Sequence, residues 1–305
     1  MVPNRVRPRA IVEEVYGFPF PDDLYALSDF ARAHPAALSV LDLRLDGPFA
    51  LVSGERKGVA KGWDPGGDRP RFYYDPPEFF TIAVGEGDGR HWGYWFDDPA
   101  TGRALVVSYS HNGALSIAAH GDSVFHAVRA HLEALARQAH DESDSDKNER
   151  LDELAVCRAA LGGYGLGDRK EVGAAYCDRY SGTRDSTRKP VAKTRTGLGI
   201  VVPKSEYRAL HSHTAGDGAD DPFQSAAFNP NQADVADWVA KAKIAITEGC
   251  PGVALKLGHD LWTYSSFAEQ SYDLLDRAYS ALGRKVLRDY LKRAVVFRKR
   301  SELSR

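Results

Sequence analysis

Three runs rich in valine, isoleucine and aromatic residues, Phe79–Val84, Trp92–Phe96 and Ala104–Tyr109, constrain this chain more than any other feature. Clusters of Gly, Asp and Asn separate them. Short connections of that kind predict antiparallel strands, not the βαβ rhythm of a nucleotide-binding sheet. His111-Asn112-Gly113, between Tyr109 and Leu115, is a hairpin signal, because Asn-Gly readily takes the positive φ angles of a tight turn. Leu38–Leu45 and Pro48–Ser53 read as two further strand-like runs.

Helical patterns flank these strands. Asp22 and Asp23 precede Leu24, Leu27, Phe30 and Ala31, an Asp cap before apolar residues spaced three and four apart. Val124, Phe125, Val128, Leu132 and Leu135 repeat that spacing within Asp122–Gln138. The expected class is α+β, with an N-terminal antiparallel β-meander flanked by helices over residues 10–140. Residues 140–150 are almost wholly polar and mark a boundary. A mainly helical second domain is expected over 150–298. Leu151–Leu161 reads as a helix stopped by Gly162-Gly163, and Gly197–Pro203 as one strand between loops at 181–196 and 211–224. Asn229-Pro230 can cap and start a helix, followed by the stripe Val235, Trp238, Val239, Ala242, Ala245 and Ile246. Ser266-x-x-Glu269 forms a capping-box pattern ahead of Leu274, Leu275 and Ala278, with Gly283 at the helix end.

Composition excludes several classes. A hydrophobic fraction of 43% with 27% charged residues is that of a globular protein. No apolar run approaches the roughly 20 residues needed to span a bilayer, and no apolar stretch follows the basic N-terminus as a secretory leader would require. The cysteines Cys157, Cys177 and Cys250 are odd in number and far apart, which suits a reducing intracellular compartment and argues against a disulfide framework or a zinc site. Arg284–Arg305 is basic and Asp141–Asp146 acidic. The basic stretch reads as a solvated helix face, so neither membrane nor direct nucleic-acid binding is expected.

The search for catalytic motifs is mostly negative. Gly162–Gly167 lacks dinucleotide-binding spacing and follows a helix, so it reads as a helix stop. There is no P-loop, nucleophile elbow or H-E-x-x-H. His211 and His213 have no neighbouring carboxylate or cysteine to complete a metal set and read as loop residues. His259 and Asp260 are adjacent, and side chains of adjacent residues point apart. No metal and no cofactor of its own is expected. One carboxylate stands out. Glu248 closes the helix that starts near Asn229 and lies two residues, about 200°, past Ile246 of the buried stripe, so it should face outward. There it meets the negative end of the helix dipole, a setting suited to a proton acceptor.

Several blocks together resemble the histone PARylation factor family: Tyr16–Tyr25, Arg71–Phe79 with Thr81-Ile82, Gly121–Val128, Gly197–Pro203, Tyr207-Arg208 and Leu255–Trp262. They follow the family's order from about residue 16 to 295, and Arg-Phe-Tyr-Tyr-Asp-Pro-Pro-Glu-Phe is the most specific. The resemblance implies an accessory factor, not a stand-alone enzyme. Such factors bind the catalytic domain of DNA-damage-responsive poly(ADP-ribose) polymerases and complete a composite active site. They redirect ADP-ribose from acidic side chains to serine, notably on histones. NAD is then bound by the partner ADP-ribosyltransferase. Counting back from the Leu-x-Leu-Gly-x-Asp-Leu block places the family's contributed glutamate on Glu248. Its Tyr-Arg pair falls on Tyr207 and Arg208, where the Arg holds the partner. An Asp usually precedes the glutamate and contacts the partner; Thr247 stands there, and Gly249-Cys250 replaces Cys-Asp.

The Arg- and Ala-rich composition with one methionine has a bacterial cast. The implied location is cytoplasmic if bacterial and nuclear if eukaryotic. The competing reading is a non-catalytic interaction protein of toxin-immunity type, which the N-terminal unit loosely resembles. A composite site requires Glu248 to be exposed and within roughly 20 Å of Arg208, the span of an interface patch.

Overall fold

Because both faces of the sheet are covered, its strands read as almost continuously apolar. The computed structural model of the chain describes residues 6–53, 75–85, 89–110, 117–141, 147–164, 166, 172–173, 175–177, 187–210, 233–262 and 264–302. Strands β1 (Leu43–Leu45), β2 (Phe79–Gly85), β3 (Arg90–Trp95), β4 (Leu105–Ser110) and β5 (Ala118–Ala119) lie side by side in chain order, every neighbouring pair antiparallel. The expected meander is therefore present. Phe79 stands opposite Trp95, and Tyr94 opposite Val106. Gly93 sits where a Cβ would lie 2.5 Å from the Phe80 carbonyl oxygen and 2.7 Å from the Phe79 ring, so the strand needs glycine for space.

One face buries Phe80, Ile82, Trp92, Tyr94 and Val106 under the helices α1 (Val6–Tyr16), α2 (Asp22–Ala33) and α5 (Val124–Asp141). Two shorter helices, α3 (Pro35–Val40) and α4 (Phe49–Val52), lie between α2 and β2, and α6 (Lys147–Gly162) adds Leu154, Cys157 and Leu161 to the same core. The other face buries Phe79, Trp95, Leu105, Val107 and Tyr109 beneath Leu198.

Several local expectations give way to context. Leu38–Leu45 is a strand only from Leu43, because Pro35 occupies the first turn of α3 and the chain stays helical to Val40. Pro48–Ser53 is the single helical turn α4, which buries Phe49 and Leu51. The α2 helix has Pro21 at its cap and no side-chain cap bond. Asp23 instead turns across the core: its carboxylate accepts the Val124 N–H at 2.7 Å, capping α5, and the Tyr94 hydroxyl at 2.5 Å.

A second core joins α7 (Ala233–Thr247), α8 (Pro251–Trp262), α9 (Ala268–Ala281) and α10 (Lys285–Glu302), through Val239, Ala242, Leu257, Leu261, Leu274, Leu275 and Leu291 among others. Thus a mostly helical half follows the sheet. The segment Gly197–Pro203 is not a strand: its one bridge pairs Ile200 with Ala192. Ser266 lies inside a short 3-10 turn, Ser265–Phe267, so the capping box does not form and α9 begins without a side-chain cap. Gly283 does end α9, at φ +70°. On α10, Arg288 pairs with Asp276 at 2.6 Å and Lys299 with Glu269 at 3.0 Å, but the basic stretch is not wholly a solvated face: Arg298 is buried over the Trp262 ring and donates to the Trp262 carbonyl at 3.2 Å. Arg71–Tyr74, the Asn112-Gly113 turn, residues 142–146, the loop at 211–224 with His211 and His213, and the Asn229-Pro230 start all lie outside the described residues.

Buried polar contacts lock the helical half to the sheet. Glu78, just before β2, places Oε1 2.9 Å from His259 Nε2 on α8 and accepts the Tyr279 hydroxyl from α9. Arg188 donates to both Asp97 oxygens, at 2.6 and 2.8 Å, and to the carbonyls of Leu198 and Gly199.

Candidate functional site

The α7 helix buries Val235, Val239, Ala242 and Ala245 and turns sharply at its end. Gly249 takes φ +82°, a conformation that costs other residues energy. The Gly249 N–H then donates to the Ile246 carbonyl at 3.1 Å and the Cys250 N–H to that of Ala245 at 2.8 Å. This pair of bonds is the Schellman closure of a helix, and it makes Glu248 the cap residue. Thr247, also exposed, donates its hydroxyl to the Ile244 carbonyl at 2.7 Å and so is satisfied within its own helix. Pro251 starts α8 at once, its ring suited to the first helical position.

A second strip of chain rises beside this turn. After Pro203, residues Lys204–Glu206 form a 3-10 turn, and Tyr207 continues extended at φ −136° and ψ 136°. This turn rests on Gly252 at the start of α8. Tyr207 packs partly buried against the second core, and burial pushes its phenol above the ordinary value, so the ring stays neutral. Arg208 points back over the α7 terminus and forms an ion pair with Glu248. The two side chains are 52% and 47% exposed. Glu248 is therefore on the surface and in direct contact with Arg208, and Tyr207, Arg208, Thr247 and Glu248 occupy one edge of the helical half.

The other sequence candidates lie elsewhere. His259 and Asp260 do point apart. His259 is buried against Glu78, whereas Asp260 accepts the Arg195 N–H at 2.8 Å and the Lys256 ammonium at 2.5 Å. Among the described residues, no group of three or more His, Cys, Asp or Glu could hold a metal ion, and no helix is long and apolar enough to cross a membrane. A small apolar cavity lies inside the N-terminal core, lined by Leu27, Leu43, Ile82 and Trp92, and Glu248 is not among its lining residues. The chemistry open to the surface site is that of a solvent-reachable carboxylate and a guanidinium, which can accept a proton and bind an anionic group.

The family model described as Histone PARylation factor 1 matches residues 7–298. The chain belongs to the histone PARylation factor 1 family. Similar relatives include mouse Histone PARylation factor 1, 30% identical over 93% of this chain and 86% of the mouse protein. Bovine Histone PARylation factor 1 is 29% identical over 93% and 85% of the respective chains. A human protein named Putative histone PARylation factor 1-like is 28% identical over 97% and 88%.

Within this histone PARylation factor 1 family member, sequence reasoning missed two neighbours of Glu248. Ile244, one turn earlier, is 54% exposed, and only its position off the buried stripe hinted at that. Gly252, which with Gly249 and Pro251 reads in the sequence as a helix stop, is instead the second residue of α8, and a Cβ there would lie 2.8 Å from the Glu206 carbonyl oxygen.

Proposed function

We propose that this chain is an accessory factor that binds the catalytic domain of a poly(ADP-ribose) polymerase-type transferase and lends it Glu248 as a general base. Tyr207, Arg208 and Thr247 form the contact edge, and the partner holds NAD. The observation that carries the reading is the exposed Glu248 carboxylate beside the exposed Arg208 guanidinium, on one edge of a chain of this family. A serine hydroxyl is a poor nucleophile while protonated, so transfer to it needs a base that transfer to a glutamate does not. Glu248 accepts the hydroxyl proton as the serine oxygen bonds to the anomeric ribose carbon of NAD. The carbon–nitrogen bond to nicotinamide breaks, and its electron pair leaves with the nicotinamide nitrogen. Arg208 supplies forked donors matched to a carboxylate of the partner. Thr247 replaces a charge with a hydroxyl bonded inside its own helix, so it adds contact area without an ion pair.

The test is residue-level mass spectrometry of ADP-ribosylation. A poly(ADP-ribose) polymerase, preferably from the same genome, is incubated with NAD, activating DNA and a serine-containing histone peptide. Wild-type chain should shift modification onto serine, and Glu248→Gln should bind the polymerase without doing so. Binding by the wild type with no change of acceptor would reduce the chain to an interaction protein.

A further inference from the structure

Nothing in the backbone of Gly252 requires glycine. It is the second residue of α8, in a helix, where glycine is an intrinsically poorer choice than alanine. Space explains it. A Cβ at residue 252 would lie 2.8 Å from the Glu206 carbonyl oxygen, 2.8 Å from Val202 Cγ2 and 3.2 Å from Tyr207 Cβ. The first of these is backbone and cannot swing away. Two residues after Glu206 stands Arg208, and four residues before Gly252 stands Glu248. The contact at Gly252 thus joins the strip that carries the guanidinium to the helix that directly follows the carboxylate, beside a looser contact of Cys250 Sγ with the Ser205 carbonyl at 3.8 Å.

We propose that Gly252 is the positioning residue of this site: its bare Cα seats the Lys204–Glu206 turn on α8 and thereby sets Arg208 against Glu248. The role given to those two side chains rests on the function proposed above; the seat itself does not. The ion pair alone is too weak to set this geometry, since exposed pairs pay for their own ordering and hold little. The backbone seat has no such freedom. A methyl at residue 252 pushes the turn outward, and a displacement approaching 1 Å at a reacting group can lower a rate about a hundredfold. Both charged residues stay in the chain.

Gly258, in the same helix, provides a matched control. A Cβ there would lie 2.8 Å from Leu275 Cδ2 and Cγ, on the contact of α8 with α9 and away from the turn. The test compares Gly252→Ala with Gly258→Ala in the full chain by thermal melting, amide hydrogen exchange and the serine-transfer assay. The amides of Glu206 and Tyr207, which donate to Pro203 and Lys204 at 2.9 and 3.4 Å, report on the turn. Gly252→Ala should speed their exchange and lower serine transfer, each by about tenfold or more. Gly258→Ala should melt earlier than wild type yet leave those two amides as they are. If Gly252→Ala does not fold, Val202→Ala/Gly252→Ala removes one clash, keeps the one with the Glu206 carbonyl, and takes its place. Unchanged turn amides in the Gly252 variant would overturn the proposal, as would equal acceleration in both variants. Full serine transfer by the Gly252 variant, beside an active wild type, would overturn it too. If the wild type itself promotes no transfer, the proposed function falls, and the exchange rates alone decide whether Gly252 seats the turn.

Discussion

Arg208 and Glu248 are each about half exposed, and an ion pair in that setting contributes about 0–1 kcal/mol to stability. Arg208→Ala and Glu248→Gln should therefore shift the free energy of urea unfolding by no more than about 1 kcal/mol. A larger loss would mean that the pair holds the fold and not a surface contact. A partly buried imidazole beside the sheet behaves differently. Burial first, and then the charges of Arg90 and His131, hold the His120 imidazole down at about 4, against an ordinary 6.5. Its Nε2 lies 2.7 Å from Ser108 Oγ. Between those values the unfolded chain binds a proton that the folded chain refuses. Stability present above pH 6.5 is thus lost as pH falls toward 4, by about 2–3 kcal/mol. Urea midpoints measured at pH 7 and pH 4.5 should converge in His120→Gln relative to wild type. Such a histidine is not legible in a sequence, since nothing adjacent to residue 120 announces burial.

Among the elements, β2, β3, β4, α5 and α6 follow their apolar patterns, whereas β1 and α3 do not. In the first group, packing and local pattern agree. In the second, a proline at the start of a helix outweighs a run that otherwise reads as a strand. Helix ends show the same division. Gly249 and Gly283 stop their helices by backbone conformation, which is a local property. Asp23 caps α5 from 101 residues away, while its own helix has no side-chain cap. Removing that acceptor strands the Val124 N–H and the Tyr94 hydroxyl together. Asp23→Ala should cost about 2–3 kcal/mol in urea unfolding, and Asp23→Asn, which keeps one acceptor oxygen, clearly less. Equal losses for the two variants would show that charge, not the cap bond, is the contribution of Asp23.

Across the whole molecule, Glu78 ties the sheet to both α8 and α9 from within a wholly buried site. Despite burial, which alone would raise it, the Glu78 carboxyl is held below its ordinary value, by His259 above all and then by the Tyr279 hydroxyl. Deleting one partner of a buried pair leaves an uncompensated polar group, so His259→Leu should destabilise by about 3–5 kcal/mol. Replacing both should cost less than that single change, because Glu78→Leu removes the stranded carboxylate as well. Thermal unfolding followed separately by near- and far-ultraviolet circular dichroism checks both statements. It also shows whether the sheet and the helical half still melt together once the tie is cut.

The sequence by itself determined what is periodic or local: the strand runs between Phe79 and Tyr109, the helices α2, α5, α6, α7 and α9, the stops at Gly249 and Gly283 and the outward position of Glu248 at the end of α7, whereas α8, where Pro251 and Gly252 read as a helix stop, was not legible. It also carried enough ordered blocks to point to the family. Only the tertiary structure decided which groups meet. Arg208 reaches Glu248 across 40 residues, and His259 meets Glu78 across 181. The physical reason is that side-chain pattern reports which face of an element is buried, through its period of two or 3.6 residues. Polar partners carry no period. They are chosen by whichever donor or acceptor the packing of distant elements brings within hydrogen-bonding distance, and at Gly252 by how closely two backbones can approach.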